Sequence, residues 1–559
     1  MSAFCMMVSI ASLVASSPDR PASAGGEAEF KVLRDEYLAK FAPLWKEAAV
    51  AWWEANTTGS DAAFEHKTRA DKALVELHGD KAMFTSVRAF KDAGTVKDPV
   101  LARELDVMYR AFLPGQADMA LRNRIVELEN EVEKTFNTHR SKVGDKTLSE
   151  NEVRDALSGS DSAAAEAAWK GYMEVGAKAD PLLRELVKLR NQMAKQLGFP
   201  NFFAMRLALQ EINEGEFFEL FDELDTLTRE PFARLKGQID ERQSKRFGVP
   251  AADLRPWHYG DLFFQEAPQL DDVNLDEVYK SVDLLEVTRS YYASIGLPAD
   301  DIIARSDLYE KPGKSPHAFS TDLNREGDIR TLCNIKPNLY WADTVLHEIG
   351  HAVYDTNIRR DVPFLLREAS HSITTEGIAM MLGAMVKTRD YLVRAVKVDA
   401  AEADRVAAAA QRALRAEKII FARWTQVMTR FEHGLYTNPD QDLAKLWWDL
   451  KRRYQMLNPP DRADRPDYAA KVHILTAPVY YHSYMMGDLF AAQVRDHIAR
   501  DVLNKKNVDE TCFFGEPKAG AYMKDQIFGP GNLYPWNELT RRATGEPLSA
   551  KYFAQQFVN

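Results

Sequence analysis

The chain of 559 residues has only three cysteines, Cys5, Cys333 and Cys512. They form no CxxC pair and are too few and too scattered for a disulfide framework. That excludes a cysteine-ligated zinc fold and a disulfide-stapled scaffold. Basic blocks are also missing. Lys and Arg total 72 against 83 Asp and Glu, a net charge of −11, and no helix face is rich in Lys or Arg. The expectation is no nucleic-acid partner. There is no internal repeat, and no segment beyond the N-terminus is long and apolar enough to span a bilayer. The run from Ala3 to Ala15 is apolar or small, and Ala22-Ser23-Ala24 has the small-x-small form of a signal-peptidase site. No positive residue precedes that run. Residues 1–26 therefore read as a signal peptide or a disordered tail, with export (periplasmic or secreted) the expected localisation. Cleavage after Ala24 would remove Cys5.

What the chain does have is apolar periodicity. Hydrophobic residues make up 45% of it, enough for a sizeable core. Phe30, Leu33, Tyr37, Leu38, Phe41 and Leu44 recur at helical steps, and the pattern stays helical to about Phe247. Gly59, Gly79, Pro114, Gly144, Pro181 and Gly198-Phe199-Pro200 punctuate it. Asp180-Pro181 reads as a helix start with proline at the first helical position. The Ala/Asp/Ser-rich stretch 158–168 reads as an exposed loop and helix start. The middle differs: 317–323 and 329–335 are short extended runs around Asn324-Arg325-Glu326-Gly327, the pattern of a small hairpin. Pro337-Asn338 then opens a helix with Asn338 as N-cap. Helical patterning resumes after Pro363 and runs with breaks to Arg500. The predicted fold is mainly α with a small β-sheet next to the helix that follows Asn338.

That helix carries His347-Glu348-Ile349-Gly350-His351, an HExxH sequence. Residues four apart share a helix face, so both imidazoles can point at one metal ion, and Glu348 sits one step round. Two neutral nitrogen ligands beside a carboxylate base describe a catalytic zinc site with Glu348 as general base. Such a site needs a third protein ligand. Glu376, which follows Thr374-Thr375 and begins an apolar run, suits the role if it faces the motif helix. Glu368 and His371 are the other candidates. A plain helix-terminal acid is the structural alternative for Glu376.

Several further motifs occur in order. Gly260-Asp261-Leu262-Phe263-Phe264-Gln265, Pro316-His317-Ala318-Phe319-Ser320, Leu446-Trp447-Trp448-Asp449-Leu450 with Asn458-Pro459-Pro460, Lys471-Val472-His473-Ile474 and Tyr481-His482-Ser483-Tyr484 stand along the chain, with Trp52-Trp53-Glu54-Ala55-Asn56-Thr57 near its start. Together with HExxH they resemble the angiotensin-converting-enzyme family of peptidyl-dipeptidases, peptidase family M2. The likeness covers nearly all of residues 27–559, which are expected to form one catalytic domain of two helical subdomains flanking a deep central cleft.

The resemblance implies roles. His347, His351 and Glu376 would hold one zinc ion, and Glu348 would be general base and then general acid. His473 and Tyr484 would stabilise the tetrahedral intermediate. Gln265, Lys471 and Tyr481 would bind the C-terminal carboxylate of a short peptide, and His317 and Ala318 would hold the peptide near the scissile bond. An anchor two residues beyond that bond implies release of C-terminal dipeptides. A thimet-type endo-oligopeptidase and an inactive zinc-containing peptide-binding scaffold are the rival expectations. Taken singly, Lys471 and Tyr481 would read as a solvated lysine and a packing tyrosine, the histidines as core, and Trp447-Trp448 as core.

The chain departs from the family pattern in four places. Glu376 lies one residue further from His351 than in the vertebrate enzymes, and one extra residue between His473 and Tyr481 makes Tyr480 a competitor for the anchor. Pro316 replaces a cysteine that the family often pairs with one near Cys333, so that disulfide is not expected here. Met380 stands where the resemblance implies an acid that orients a zinc histidine. Lys451, and His482 or Ser483, occupy the positions of chloride-binding arginines, so chloride activation is expected to be weak or absent. Gln265 stands where carboxypeptidase relatives carry arginine, which favours dipeptide release.

Overall fold

The computed structural model describes residues 26–268 and 273–558. The N-terminal segment read as signal or tail, with Cys5, lies outside the described residues up to Gly26. Helices dominate, as predicted, and the described strands form two small antiparallel two-stranded sheets. Among the described residues no helix is long and apolar enough to cross a membrane.

Helix α1 (Glu27–Thr58) begins with Glu27 and Glu29 in its first turn, where carboxylates complement the helix dipole. Its buried stripe, Phe30, Leu33, Tyr37 and Phe41, follows the three- and four-residue spacing of the sequence. It stops at Gly59, whose φ of +63° is the left-handed cap conformation. A Cβ there would also lie 2.0 Å from the Gly313 carbonyl oxygen.

Two details differ from expectation in the helical first half. Pro181 does not open a helix. It lies inside α2 (Ser162–Gln196), whose N-cap is Asp161, accepting from the Ala163 and Ala164 amides. The Asp180 carboxylate instead accepts from Arg184 Nε at 2.8 Å and from the Tyr468 hydroxyl. Burial of Ala179, Leu183, Leu186 and Val187 around the proline outweighs one lost helical hydrogen bond. A second hairpin, β1 (Ser141–Val143) with β2 (Lys146–Leu148), turns at Gly144, φ +59°. Three-residue strands are too short to show an alternating pattern. Three short helices also follow Arg500, at Pro517–Met523, Trp536–Thr544 and Lys551–Phe557.

The chain divides into two units. The first takes the described residues up to Met119, with Asn274–Asp404 and Phe490–Leu548. Its predicted hairpin is present as β3 (Phe319–Asp322) and β4 (Ile329–Leu332), paired Phe319 to Leu332 through Asp322 to Ile329. Phe319, Leu323 and Leu332 pack with Ala49 and Trp53 of α1, so the Trp52-Trp53 segment supports this sheet. Next comes α3 (Leu339–Thr356), capped by Asn338 as predicted, with its side-chain oxygen 2.9 Å from the Trp341 amide. The second unit takes Ala120–Val273, Arg405–Leu489 and the residues from Ser549. One of its cores joins Phe232, Ile239, Tyr259, Phe264, Ile419, Ile420 and Leu457.

Candidate zinc centre and carboxylate-binding cluster

Helix α3 carries HExxH and packs on α4 (Ser372–Gly383) at close range. A Cβ on Gly350 would lie 3.1 Å from Ala379 Cα, and one on Gly383 would lie 3.2 Å from His347 Cβ. Glycine on each helix lets the two backbones approach, and Glu376, one turn into α4, faces the histidines. Strand β3 braces the other side: the Ser320 hydroxyl donates to the Glu348 carbonyl at 2.6 Å.

The three side chains expected to hold metal converge. Their ligand atoms all lie within 4.8 Å of one another. His347 Nε2 is 3.2 Å from His351 Nε2, and Glu376 Oε2 is 3.7 and 3.8 Å from these nitrogens. Tetrahedral ligands about 2.1 Å from one zinc ion stand about 3.4 Å apart, so the set fits zinc with little adjustment. Burial, reinforced by the neighbouring His347, holds His351 well below the usual imidazole range. It is therefore neutral, as a metal ligand must be. Glu348 is 1% exposed, and its Oε2 has no hydrogen-bond partner among the described residues. Burial, helped by the Glu376 carboxylate, pushes it up to about 8. A buried carboxyl with an unpartnered oxygen and a raised proton affinity, beside three convergent ligand atoms, is placed to take a proton from a water at that site.

The other candidates go elsewhere. Glu368 pairs with Arg325 Nη2 at 2.6 Å. His371 is the N-cap of α4, its Nδ1 accepting from the Ile373 amide at 3.0 Å. His317 is exposed in a bend and Ala318 is 9% exposed, since β3 begins at Phe319, two residues later than predicted. The Cys333 thiol is free and buried. Sequence reasoning missed Thr375, whose Oγ1 lies 2.7 Å from His351 Nδ1. Its one signal was adjacency to Glu376.

In the second unit the loop 261–265 is held from several sides. Asp261 Oδ2 accepts from the Phe263 and Gln265 amides at 3.0 and 2.8 Å. Lys451 Nζ donates to the Phe263 carbonyl at 2.9 Å, and Gln455 Nε2 to that of Phe264 at 2.6 Å. Phe264, with φ +54°, is buried in the core. A non-glycine residue in that region is costly and persists because these contacts over-determine it. Gln265 is thereby fixed, and its Oε1 accepts from Lys471 Nζ at 2.6 Å and from the Tyr481 hydroxyl at 3.2 Å. Tyr480 packs edge-on against Tyr484.

Burial lowers Lys471 to about 8 although Asp261 and Glu266 oppose the shift. Burial and Lys471 together hold His473 at about 4, so its imidazole is neutral. The His473 and Tyr484 rings lie against Tyr481, each 5.3 Å away. Lys451 is enclosed by the rings of Trp424, Trp447 and Trp448 at 4.9, 5.3 and 5.9 Å. Both residues of the Trp447-Trp448 pair are core, as read from the sequence.

Two histidines one helical turn apart, a glutamate from the next helix and a buried glutamate beside them are the constellation of an HExxH metallopeptidase. The chain belongs to peptidase family M2: the family model described as angiotensin-converting enzyme matches residues 26–236 and 264–558. Curated relatives include the angiotensin-converting enzymes of Mus musculus, 22% identical over 95% of this chain and 43% of that protein, and Rattus norvegicus, 23% identical over 70% and 32%. The chain thus spans less than half the length of these relatives. A shorter match, 28% identical over 21% of this chain and 22% of the relative, is to thermostable carboxypeptidase 1 of Pyrococcus furiosus.

Proposed function

We propose that this chain is a zinc-dependent peptidyl-dipeptidase that hydrolyses C-terminal dipeptides from short peptides. The observation that carries the reading is the convergence of Lys471 Nζ and the Tyr481 hydroxyl on one acceptor oxygen, Gln265 Oε1. A terminal carboxylate offers the same acceptor with a full charge, and charge-assisted bonds to an ammonium and a phenol are the strong kind.

His347, His351 and Glu376 would hold zinc, which when bound acts as a Lewis acid and makes hydroxide available near neutral pH. Glu348 takes the proton of the attacking water as the C–O bond forms, then passes it to the departing amine as the C–N bond breaks. His473, neutral, and Tyr484 are the donors for the oxyanion of the tetrahedral intermediate. His317 and the Ala318 backbone hold the peptide beside the scissile bond. Family relationship and the retained Glu348 favour an active peptidase over a binding scaffold. Export and weak or absent chloride activation are parts of the same proposal. The latter is tested by kcat/KM with and without chloride at constant ionic strength.

The test is a peptide pair differing only in a C-terminal acid or amide. Strong preference for the acid is expected. Equal turnover of both would replace this reading with a thimet-type endo-oligopeptidase, and no turnover by zinc-loaded protein would leave only a binding scaffold.

A further inference from the structure

Trp424 lies on the helix Ala400–Thr437 and is fully buried, with no role in the chemistry described so far. Its indole Nε1 donates to the Tyr481 hydroxyl oxygen at 2.9 Å. An indole N–H is a donor only, and a phenol has one proton. The Tyr481 oxygen therefore accepts from Trp424, and its own proton is directed to Gln265 Oε1. The indole plane is held in turn: Phe263 stacks on it at 5.7 Å, Trp447 meets it edge-on at 5.7 Å, and the Lys451 and Lys471 ammoniums lie over it at 4.9 and 5.6 Å. Cations over an indole face are favoured, more so when desolvated, which helps hold the ring in this orientation.

We propose that Trp424 is a positioning residue that makes Tyr481 a one-way hydrogen-bond donor and so selects peptides ending in a free carboxylate over those ending in an amide. This rests on the carboxylate-binding role proposed above for Lys471 and Tyr481. With Trp424 in place, both groups that meet at Gln265 Oε1 display protons only. A carboxylate is acceptor-only and satisfies them. A terminal amide has one acceptor oxygen, which can take both groups as Gln265 does, but its N–H groups then find no acceptor on Tyr481, and a buried donor without an acceptor carries a large penalty. Without the indole N–H the Tyr481 hydroxyl can rotate, present a lone pair and accommodate the amide. The discrimination is thus separate from the charge of Lys471.

The experiment compares kcat/KM for an acid/amide peptide pair in wild type, Trp424→Phe, Tyr481→Phe, the double variant and Lys471→Met. The acid/amide ratio is taken within each preparation, so a partly misfolded fraction cancels. Trp424→Phe is expected to lower the ratio about tenfold, chiefly through a lower KM for the amide. The double variant is expected to match Tyr481→Phe, because the two residues act through one hydroxyl. An unchanged ratio in Trp424→Phe, or losses that multiply in the double variant, would overturn the inference. If Lys471→Met leaves KM for the acid unchanged, the carboxylate-site reading itself fails. If Lys471→Met raises KM and Trp424→Phe does nothing, only the positioning role fails.

Discussion

His351 Nδ1 and Thr375 Oγ1 lie 2.7 Å apart, one residue before the glutamate that faces both zinc-site histidines. One short segment of α4 thus supplies a candidate metal ligand and also orients another. Partners of this kind typically contribute 10- to about 100-fold in metal affinity. Thr375→Val is expected to weaken zinc binding by about that factor in chelator competition, with Thr375→Ser close to wild type. Equal affinity in the valine variant would remove Thr375 from the site.

In its proposed role as general base Glu348 needs no metal contact. Glu348→Gln is expected to retain one zinc per chain while turnover falls by at least about a hundredfold. Residual activity well above that level would mean that another group takes the proton.

Gly350 is where α3 and α4 come closest on the Ala379 side, and a methyl group there would press on backbone and on the Tyr292 hydroxyl at 3.3 Å. Gly350→Ala should cost about 1–3 kcal/mol of stability by overpacking. It should also lower zinc affinity, because Glu376 moves with α4. Calorimetric melts and zinc titration check both, and an unchanged melting temperature would show that the helices part without penalty.

Lys471 has a pKa depressed to about 8 by burial. Below that pH its ammonium is present and can meet a carboxylate; above it the free site becomes neutral. KM for a free-acid peptide should therefore be flat below pH 8 and climb above it, approaching about tenfold per pH unit. The amidated peptide should show no such rise. A KM for the acid that stays flat to pH 10 would place the carboxylate elsewhere.

The zinc motif was legible because it is local: two histidines four residues apart on a helix put two candidate ligands on one face. The hairpin before it and its Asn338 cap were legible for the same reason. Glu376 was one of three candidates on spacing alone, since its choice depends on how α4 docks, through Gly350 and Gly383, onto α3. The family resemblance singled it out, and the geometry puts Glu368 and His371 in other roles. Pro181 misled because tertiary burial overrode a local helix-start signal. The hairpin at Ser141–Leu148 is too short to carry a period. Trp424 could not be singled out in advance, because nothing in a helical run shows that an indole N–H meets a hydroxyl 57 residues further on. Segment exchange between the two units is likewise invisible to local pattern.

The most direct test is mass spectrometry of the products, over time, from an unmodified decapeptide and its C-terminal amide. The account predicts successive shortening of the free acid by two residues, release of the matching dipeptides, and little change in the amide. Internal cleavage of both peptides, or loss of single residues from the acid, would contradict it.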